Sequence, residues 1–427
     1  RLNNMPGYSL FTTVTIPTVG GSVVVSDLPS MPQLLIFFAN GRATDGLEDN
    51  YRSFMGLSTG AGVNYTPYSL REETNEAGVK DSQRTWSSTR CILLMNGTTG
   101  TIDAEASVSA LSGNGYTLTV QTNPSSDKLI SVLAVGGITN FEAELFDFAI
   151  NSGVTGTQDI DASEGCNMVD PLFVQLMGAQ STDVSGTITD DAHMNLGFTD
   201  FTNQFAMANV SNNGPSGNTQ GNRRTRAATL ITMRTNAASI TGEALVTIPN
   251  TLPVGFQLNI TNDFTSAYRV VGLAIKGVEI HVGSYAAASS ISTINVTSPG
   301  FEATLAFFAS IATTAVGGAA DDFLISLGGA SSSTARGTIS SVSQDGVDPS
   351  DTSDRRSSTK MMQQVDSDNL IVGEQDYLQS TDDGFDISQT DGSPTADLTF
   401  FWTMRFESVS NPNLRGNFNL GLKGGFQ

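Results

Sequence analysis

The apolar positions of this chain follow two patterns, strict alternation and short continuous runs, and both patterns occur three times. Alternation is cleanest at Gly115-Tyr116-Thr117-Leu118-Thr119-Val120, where Tyr116, Leu118 and Val120 fall on one side and the threonines on the other. It returns at Gly255-Phe256-Gln257-Leu258-Asn259-Ile260 and at Gly384-Phe385-Asp386-Ile387-Ser388-Gln389. A period of two belongs to a strand with one face on a core and the other in water. Continuous runs occur at residues 34–38, 172–177 and 305–308. Such runs, with turn signals on both sides, predict strands buried on both faces. A further apolar strand follows at 129–135, 268–275 and 398–406. Each stretch opens on half-wet strands. These are Phe11-Thr12-Thr13-Val14-Thr15-Ile16 and Ser22-Val23-Val24-Val25 in the first, Phe146-Asp147-Phe148-Ala149-Ile150 in the second, and residues 290–297 in the third.

The landmarks move in step. Gly115, Gly255 and Gly384 are 140 and 129 residues apart; Gly56, Gly197 and Gly328 are 141 and 131 apart. Thr89, Thr229 and Thr359 keep offsets of 140 and 130, and the apolar runs end at Phe38, Met177 and Phe308, offsets of 139 and 131. One spacing shared by four landmarks predicts an internal triplication, and units of about 130 residues are large enough to bury their own cores. The expected domains are 1–140, 141–280 and 281–407, followed by an arm at 408–427. Short strands without interleaved helical periodicity predict an all-β chain of three tandem antiparallel β-sandwich domains, jelly-roll-like rather than closed barrels. Polar stretches at 63–81, 211–222 and 344–354 read as loops. No Pro- or Gly/Ser-rich linker separates the units, so close packing is expected. The C-terminal residues have two readings. One is a loose terminus; the other is an extended arm whose Leu414, Phe418, Leu420, Leu422 and Phe426 dock on a neighbouring subunit.

Composition narrows the function classes. Only 15% of the 427 residues are charged, 43 are glycine, and the net charge is −21. That charge repels phosphate backbones and anionic lipid, so no nucleic-acid or membrane partner is expected. Neither a membrane-spanning run nor a signal peptide is read. Cys91 and Cys166 form no metal-ligand pattern and are expected to be free thiols.

Candidate chemistry is sparse. His193 and His281 lie far apart, and neither recurs at the matching place, so no base is read beside a nucleophile. Acidic pairs at Asp45 with Glu48 and Asp49, at Asp190-Asp191, at Asp321-Asp322 and at Asp382-Asp383 read as solvated turns before they read as a glycosidase pair. Calcium is the one cofactor left open, through Asp159, Asp161, Ser163 and Asp170, or through Asp348, Asp351 and Asp354; the first set lacks the glycine of a calcium loop. Tyr65, Tyr68 and Trp86 form a candidate sugar-stacking set. The basic residues show the best positional order. Arg84, Arg90, Arg224, Arg226, Arg355 and Arg356 recur around the three spaced threonines, and a structural role is favoured over anion or glycan contact because the feature recurs in every copy.

The order of an apolar strand, the Gly-centred Met55-Gly56-Leu57-Ser58-Thr59-Gly60 strand, a polar loop, a basic segment, the Gly-Tyr strand and Leu133-Ala134-Val135-Gly136-Gly137 resembles a repeat of virion-associated proteins of tailed bacteriophages and prophages. Gly255 to Ile260 with Leu273-Ala274-Ile275-Lys276-Gly277 repeats the marks, while the third copy departs at Phe401-Trp402-Thr403-Met404. The resemblance implies a non-enzymatic structural component of a virion, a head-decoration or tail protein with no catalytic residues. Its partners would be other virion proteins and further copies of itself. Three other readings stand beside it: a receptor- or glycan-binding tail-fibre adhesin for host surface glycan, a cellular surface-layer or filament subunit, and a polysaccharide-degrading enzyme.

Overall fold

The computed structural model describes residues 7–74, 81–212, 221–235, 239–247, 250–347, 349–366, 368 and 370–406. The chain is all-β, with 61% of residues in strands, and its antiparallel sheets do not close into a barrel. One 3-10 turn, Ala162–Glu164, is the only helical element among the described residues.

The first eleven strands show the plan. They are β1 (Tyr8–Ile16), β2 (Ser22–Val25), β3 (Pro32–Ala39), β4 (Gly46–Asp49), β5 (Tyr51–Gly60), β6 (Val63–Glu72), β7 (Ser82–Ser87), β8 (Ile92–Met95), β9 (Ile102–Ser112), β10 (Gly115–Thr122) and β11 (Lys128–Gly136). A large sheet runs β1-β11-β3-β5-β6-β7, and a small sheet runs β2-β10-β9-β8. Strand β4 joins neither. The same strand order recurs over residues 142–276 and 279–405, each again with one strand left out of its own sheets.

Each small sheet covers one face of its large sheet, and the three large sheets turn their other faces to one another. This explains the continuous apolar runs. Along β3, Leu35, Phe37 and Ala39 enter the core beneath the small sheet, while Leu34, Ile36 and Phe38 enter a core shared by all three sets. In the second set, Val174 and Leu176 face the small sheet and Phe173 and Met177 the shared core. The third set divides Ala306 and Phe308 from Leu305, Phe307 and Ala309 in the same way. Phe308 is therefore the counterpart of Phe37 and not of Phe38: Phe37, Leu176 and Phe308 each face the spaced glycine of the next strand. In a strand, one residue of slip reverses the face.

A polar link crosses the shared core. Trp402 Nε1 donates to Gln175 Oε1 at 3.0 Å, both side chains being fully buried. Trp402 also packs on Phe173 and Phe307, joining the second and third sets around a ring system. Its counterparts by pairing with the apolar strand are Leu133 and Leu273. The third set thus places a tryptophan where the buried Gln175 needs a donor.

Two expectations are corrected. Residues 63–72 form β6, paired on both sides, instead of a loop; its polar Asn64, Thr66, Ser69, Arg71 and Glu72 are buried, with Asn64 bonded to the backbone of Val108 and Arg71 to Gly97. The strand within 290–297, Ser292–Val296, corresponds to β2. The counterpart of β1 is Glu279–Ala286, which the boundary at 280/281 would cut.

The spaced glycines have a steric reason. A Cβ on Gly56, Gly197 or Gly328 would sit on the carbonyl oxygen of Cys91, Leu230 or Met361, each the residue just ahead of an edge strand of the small sheet. Replacing any of the three by alanine should lower stability by about 1–3 kcal/mol through overpacking. Gly113→Ala, with open space around it, should change stability by less than about 0.5 kcal/mol. Urea unfolding midpoints of the four variants check this.

Candidate functional site

The strands omitted from their own sheets meet at the edges of the neighbouring large sheets. Thr189–Asp190 of the second set pairs with β7 of the first. Ala319–Asp321 of the third pairs with Gly221–Ala227 of the second. Strand β4 of the first pairs with Thr352–Ser357 of the third. Each large sheet thereby reaches seven strands, and every set gives one strand and receives one. The exchange is closed.

The first two junctions share their chemistry. The Arg84 guanidinium donates to the carbonyls of Asp190 and Asp191. Arg223 donates to the carbonyls of Asp321 and Asp322, and also to that of Ala312. Burial lowers the pKa of both guanidiniums, and nearby aspartates, Asp191 and Asp322 foremost, oppose that shift. Trp86 adds an Nε1 bond of 3.0 Å to the Asp183 carbonyl, and the Gly186 amide returns one of 2.8 Å to the Trp86 carbonyl.

The third junction inverts the polarity. Arg84 faces Thr189 and Arg223 faces Ala320; the same place opposite Glu48 is held by Asp354. Its carboxylate is fully buried, and the cations come from the other side: Arg52 Nε lies at 3.3 Å and Arg42 Nη1 at 3.6 Å, both from the first set. Burial holds the Asp354 carboxyl well above its usual value; Arg52 and Arg42 oppose that shift without cancelling it, and Glu48 adds to it. Arg356 pairs with Asp45, whose second oxygen accepts the Ser358 amide at 2.8 Å. Although burial raises Asp45, the Ser358 bonds and the Arg356 charge outweigh it and hold that carboxyl below its usual value. Asn40 Nδ2 closes the junction on the Arg355 carbonyl at 2.7 Å.

The basic segment thus divides. Arg84 and Arg356 reach across junctions, while Arg90 bonds Thr89 and Arg226 pairs with Glu243 inside their own sets. Arg224 and Arg355 are half-buried on the receiving strands, and burial lowers both. Three of the acidic clusters read as solvated turns lie at the exchanged strands and their ends, while Asp382-Asp383 is the hairpin turn between Ile371–Thr381 and Gly384–Asp391. Asn50, Asp191 and Asp322 adopt φ of 72°, 66° and 68°, a left-handed conformation that short polar side chains tolerate best. Asp49-Asn50, Asp190-Asp191 and Asp321-Asp322 are spaced by 141 and 131 residues, the spacing of the glycines. That spacing was the available signal for the exchange.

The stacking set does not present a surface. Tyr68 is fully buried in the shared core, Trp86 is 5% exposed at the first junction, and Tyr65 packs half-buried against the shared core. Sugar stacking needs an accessible ring face, so these three rings form no platform. The oxygens considered for calcium have other partners: Asp161 accepts from the amide and hydroxyl of Ser163, Asp159 from Gln257, and Asp354 pairs with the arginines. Asp170 and Asp351 join no metal-holding group of three or more His, Cys, Asp or Glu among the described residues; Asp348 lies outside them. His193 is buried in the strand Ala192–Thr199, and His281 lies 3.6 Å from Asp200 across the second and third sets. Leu414, Phe418, Leu420, Leu422 and Phe426 of the expected arm lie outside the described residues.

Asp354→Ala should cost about 1–3 kcal/mol, because Arg52 and Arg42 lose a buried acceptor but keep Glu48 at 3.0 and 3.4 Å. Asp190→Ala should cost under about 0.5 kcal/mol, since only its backbone carbonyl bonds across the junction. Denaturant titration measures both, and hydrogen exchange should show β4 loosened in the first variant alone. Cys91 and Cys166 are free and buried, and burial pushes both thiols up to about 12. A thiol-reactive dye at pH 8 should label neither in the native protein and both in denaturant.

No protein-family model matches the chain, and no curated protein matches it.

Proposed function

We propose that the chain is a non-enzymatic structural protein of a phage-like particle, acting through protein–protein assembly. In this reading it is a triplicated β-sandwich chain, jelly-roll-like in each domain, that does the work of a closed trimer within one polypeptide. The domains follow the proposed 1–140, 141–280 and 281–407 division, with the second boundary moved ahead of Glu279. The observation that carries the reading is the closed strand exchange around a shared apolar core. An architecture of this kind resists relative motion of its parts, which suits a load-bearing unit of a larger shell or tail. Other virion proteins and further copies of the chain are its proposed partners, and the virion surface its location. The resemblance of the Gly-aromatic and Leu-Ala-x-Gly-Gly marks to virion-associated repeats supports the choice of particle.

Immunogold electron microscopy of purified particles, with antibody raised against the chain, tests this. Gold over the head would support a decoration role, and gold at the tail a tail role. Particles that stay unlabelled, while the same antibody detects the chain elsewhere in the culture, would overturn the proposal.

A further inference from the structure

We propose that Ser298, His281 and Asp200 form a nucleophilic serine site, at which the Ser298 hydroxyl takes an acyl group from an activated ester. Ser298 Oγ lies 3.2 Å from His281 Nε2, and His281 Nδ1 lies 3.6 Å from Asp200 Oδ2. A hydroxyl, an imidazole and a carboxylate in that order are the parts of an activated nucleophile. Their positions in the chain hid them. Ser298 follows the strand Ser292–Val296, His281 lies within Glu279–Ala286, and Asp200 comes just after Ala192–Thr199 of the second set.

The carboxylate is held in place. Asp200 Oδ1 accepts the amides of Thr202 and Asn203 at 2.9 and 2.6 Å, and Oδ2 accepts the Val282 amide at 2.9 Å. Three residues beyond the spaced glycine, the matching place in the third set is Ser331, whose Oγ accepts the Phe11 amide at 3.0 Å. Capping that edge amide therefore needs only an oxygen, and Asp200 adds a negative charge facing the imidazole. The 3.6 Å contact is too long for a hydrogen bond, yet the charge favours a proton on Nδ1 and leaves the Nε2 lone pair toward Ser298. By strand pairing, Leu10 and Glu144 hold the place of His281 in the other two sets, so this edge alone carries an imidazole there. Burial lowers the His281 pKa and Asp200 opposes that shift, which keeps the ring neutral and able to accept a proton at pH 7.

The hydroxyl is also accessible. Ser298 is exposed, while His281 and Asp200 are half-buried behind it. Its turn is fixed by the Gly300 amide, which donates to the carbonyls of Thr297 and Asp383 at 3.2 and 2.9 Å. A Cβ on Gly300 would meet nothing within 4 Å, so the turn borders open space. A Cβ on Gly283 would lie 3.1 Å from His281 Nε2, so glycine there leaves the base uncrowded. In the transfer, Ser298 Oγ bonds the ester carbonyl carbon and its proton passes to His281 Nε2. The bond from that carbon to the leaving oxygen then breaks, and the imidazolium returns the proton to the departing alcohol. One such transfer per chain is a modification of the serine, independent of the assembly reading.

The test is p-nitrophenyl acetate with the full-length chain, read by nitrophenol release and by peptide mapping of the acetyl group. Acetylation of Ser298 is expected in the native protein, ahead of every other serine, and not in urea. Its rate should rise as pH passes the His281 pKa, which lies below the ordinary histidine value, and level off above it. His281→Gln should slow it by about 100-fold. Ser298→Ala, at an exposed position, should remove the fast phase with the fold unchanged by circular dichroism. Acetyl groups on lysines with Ser298 unmodified would overturn the site. A Ser298 rate with no dependence on pH or on native structure would also overturn it. Neither result would bear on where the chain sits in a particle, which the gold labelling decides separately.

Discussion

The rest of the structure depends on the large sheets having no wet face. A sandwich sheet ordinarily turns one side to its partner and one to solvent. Here the second side meets the two other large sheets, so β3, β11 and their counterparts are apolar at both parities. The small sheets keep the ordinary arrangement, with Thr117 and Thr119 outward from Tyr116, Leu118 and Val120. Because the glycines at 56, 197 and 328 let the two layers approach, the same positions recur wherever this contact is made.

A core shared three ways still leaves each large sheet with an open edge, and an open edge is a template for unwanted pairing. The exchanged strands cover those edges from within the chain. Polar chemistry then distinguishes the joints: two use arginine on backbone carbonyls, while the closing one uses a buried carboxylate between two arginines. A wrong pairing at the closing joint would set Asp354 without its cations, and that error strands a buried group. The Gln175–Trp402 bond does the same inside the shared core, where a rotated assembly would leave a glutamine facing leucine.

Sequence reading reached the layers but not the joints, and the reason is physical. The two-sided burial of residues 34–38 and the one-sided alternation of residues 115–120 are written in side-chain hydrophobicity, which periodicity detects. The exchanged strands are two to four residues long, too short for a period, and at two of the three joints their recognition runs through backbone carbonyls that no side chain announces. Strand β6 was hidden similarly, since its buried Arg71 and Glu72 look like solvated residues until their partners are known. The slip at Phe308 arose because two adjacent phenylalanines are equally apolar and only the facing glycine separates them.

Ring closure also sets a timetable for synthesis. Arg52 and Asp354 are 302 positions apart, so at a translation rate of ~5–20 residues per second the first set waits roughly 15–60 s for the strand that will receive β4. Through that interval the centre-facing row of Leu34, Ile36 and Phe38 and the unpaired β4 have no final partner. The late arrival of the last set therefore makes the nascent chain, more than the finished protein, the form exposed to aggregation and dependent on protection during its synthesis.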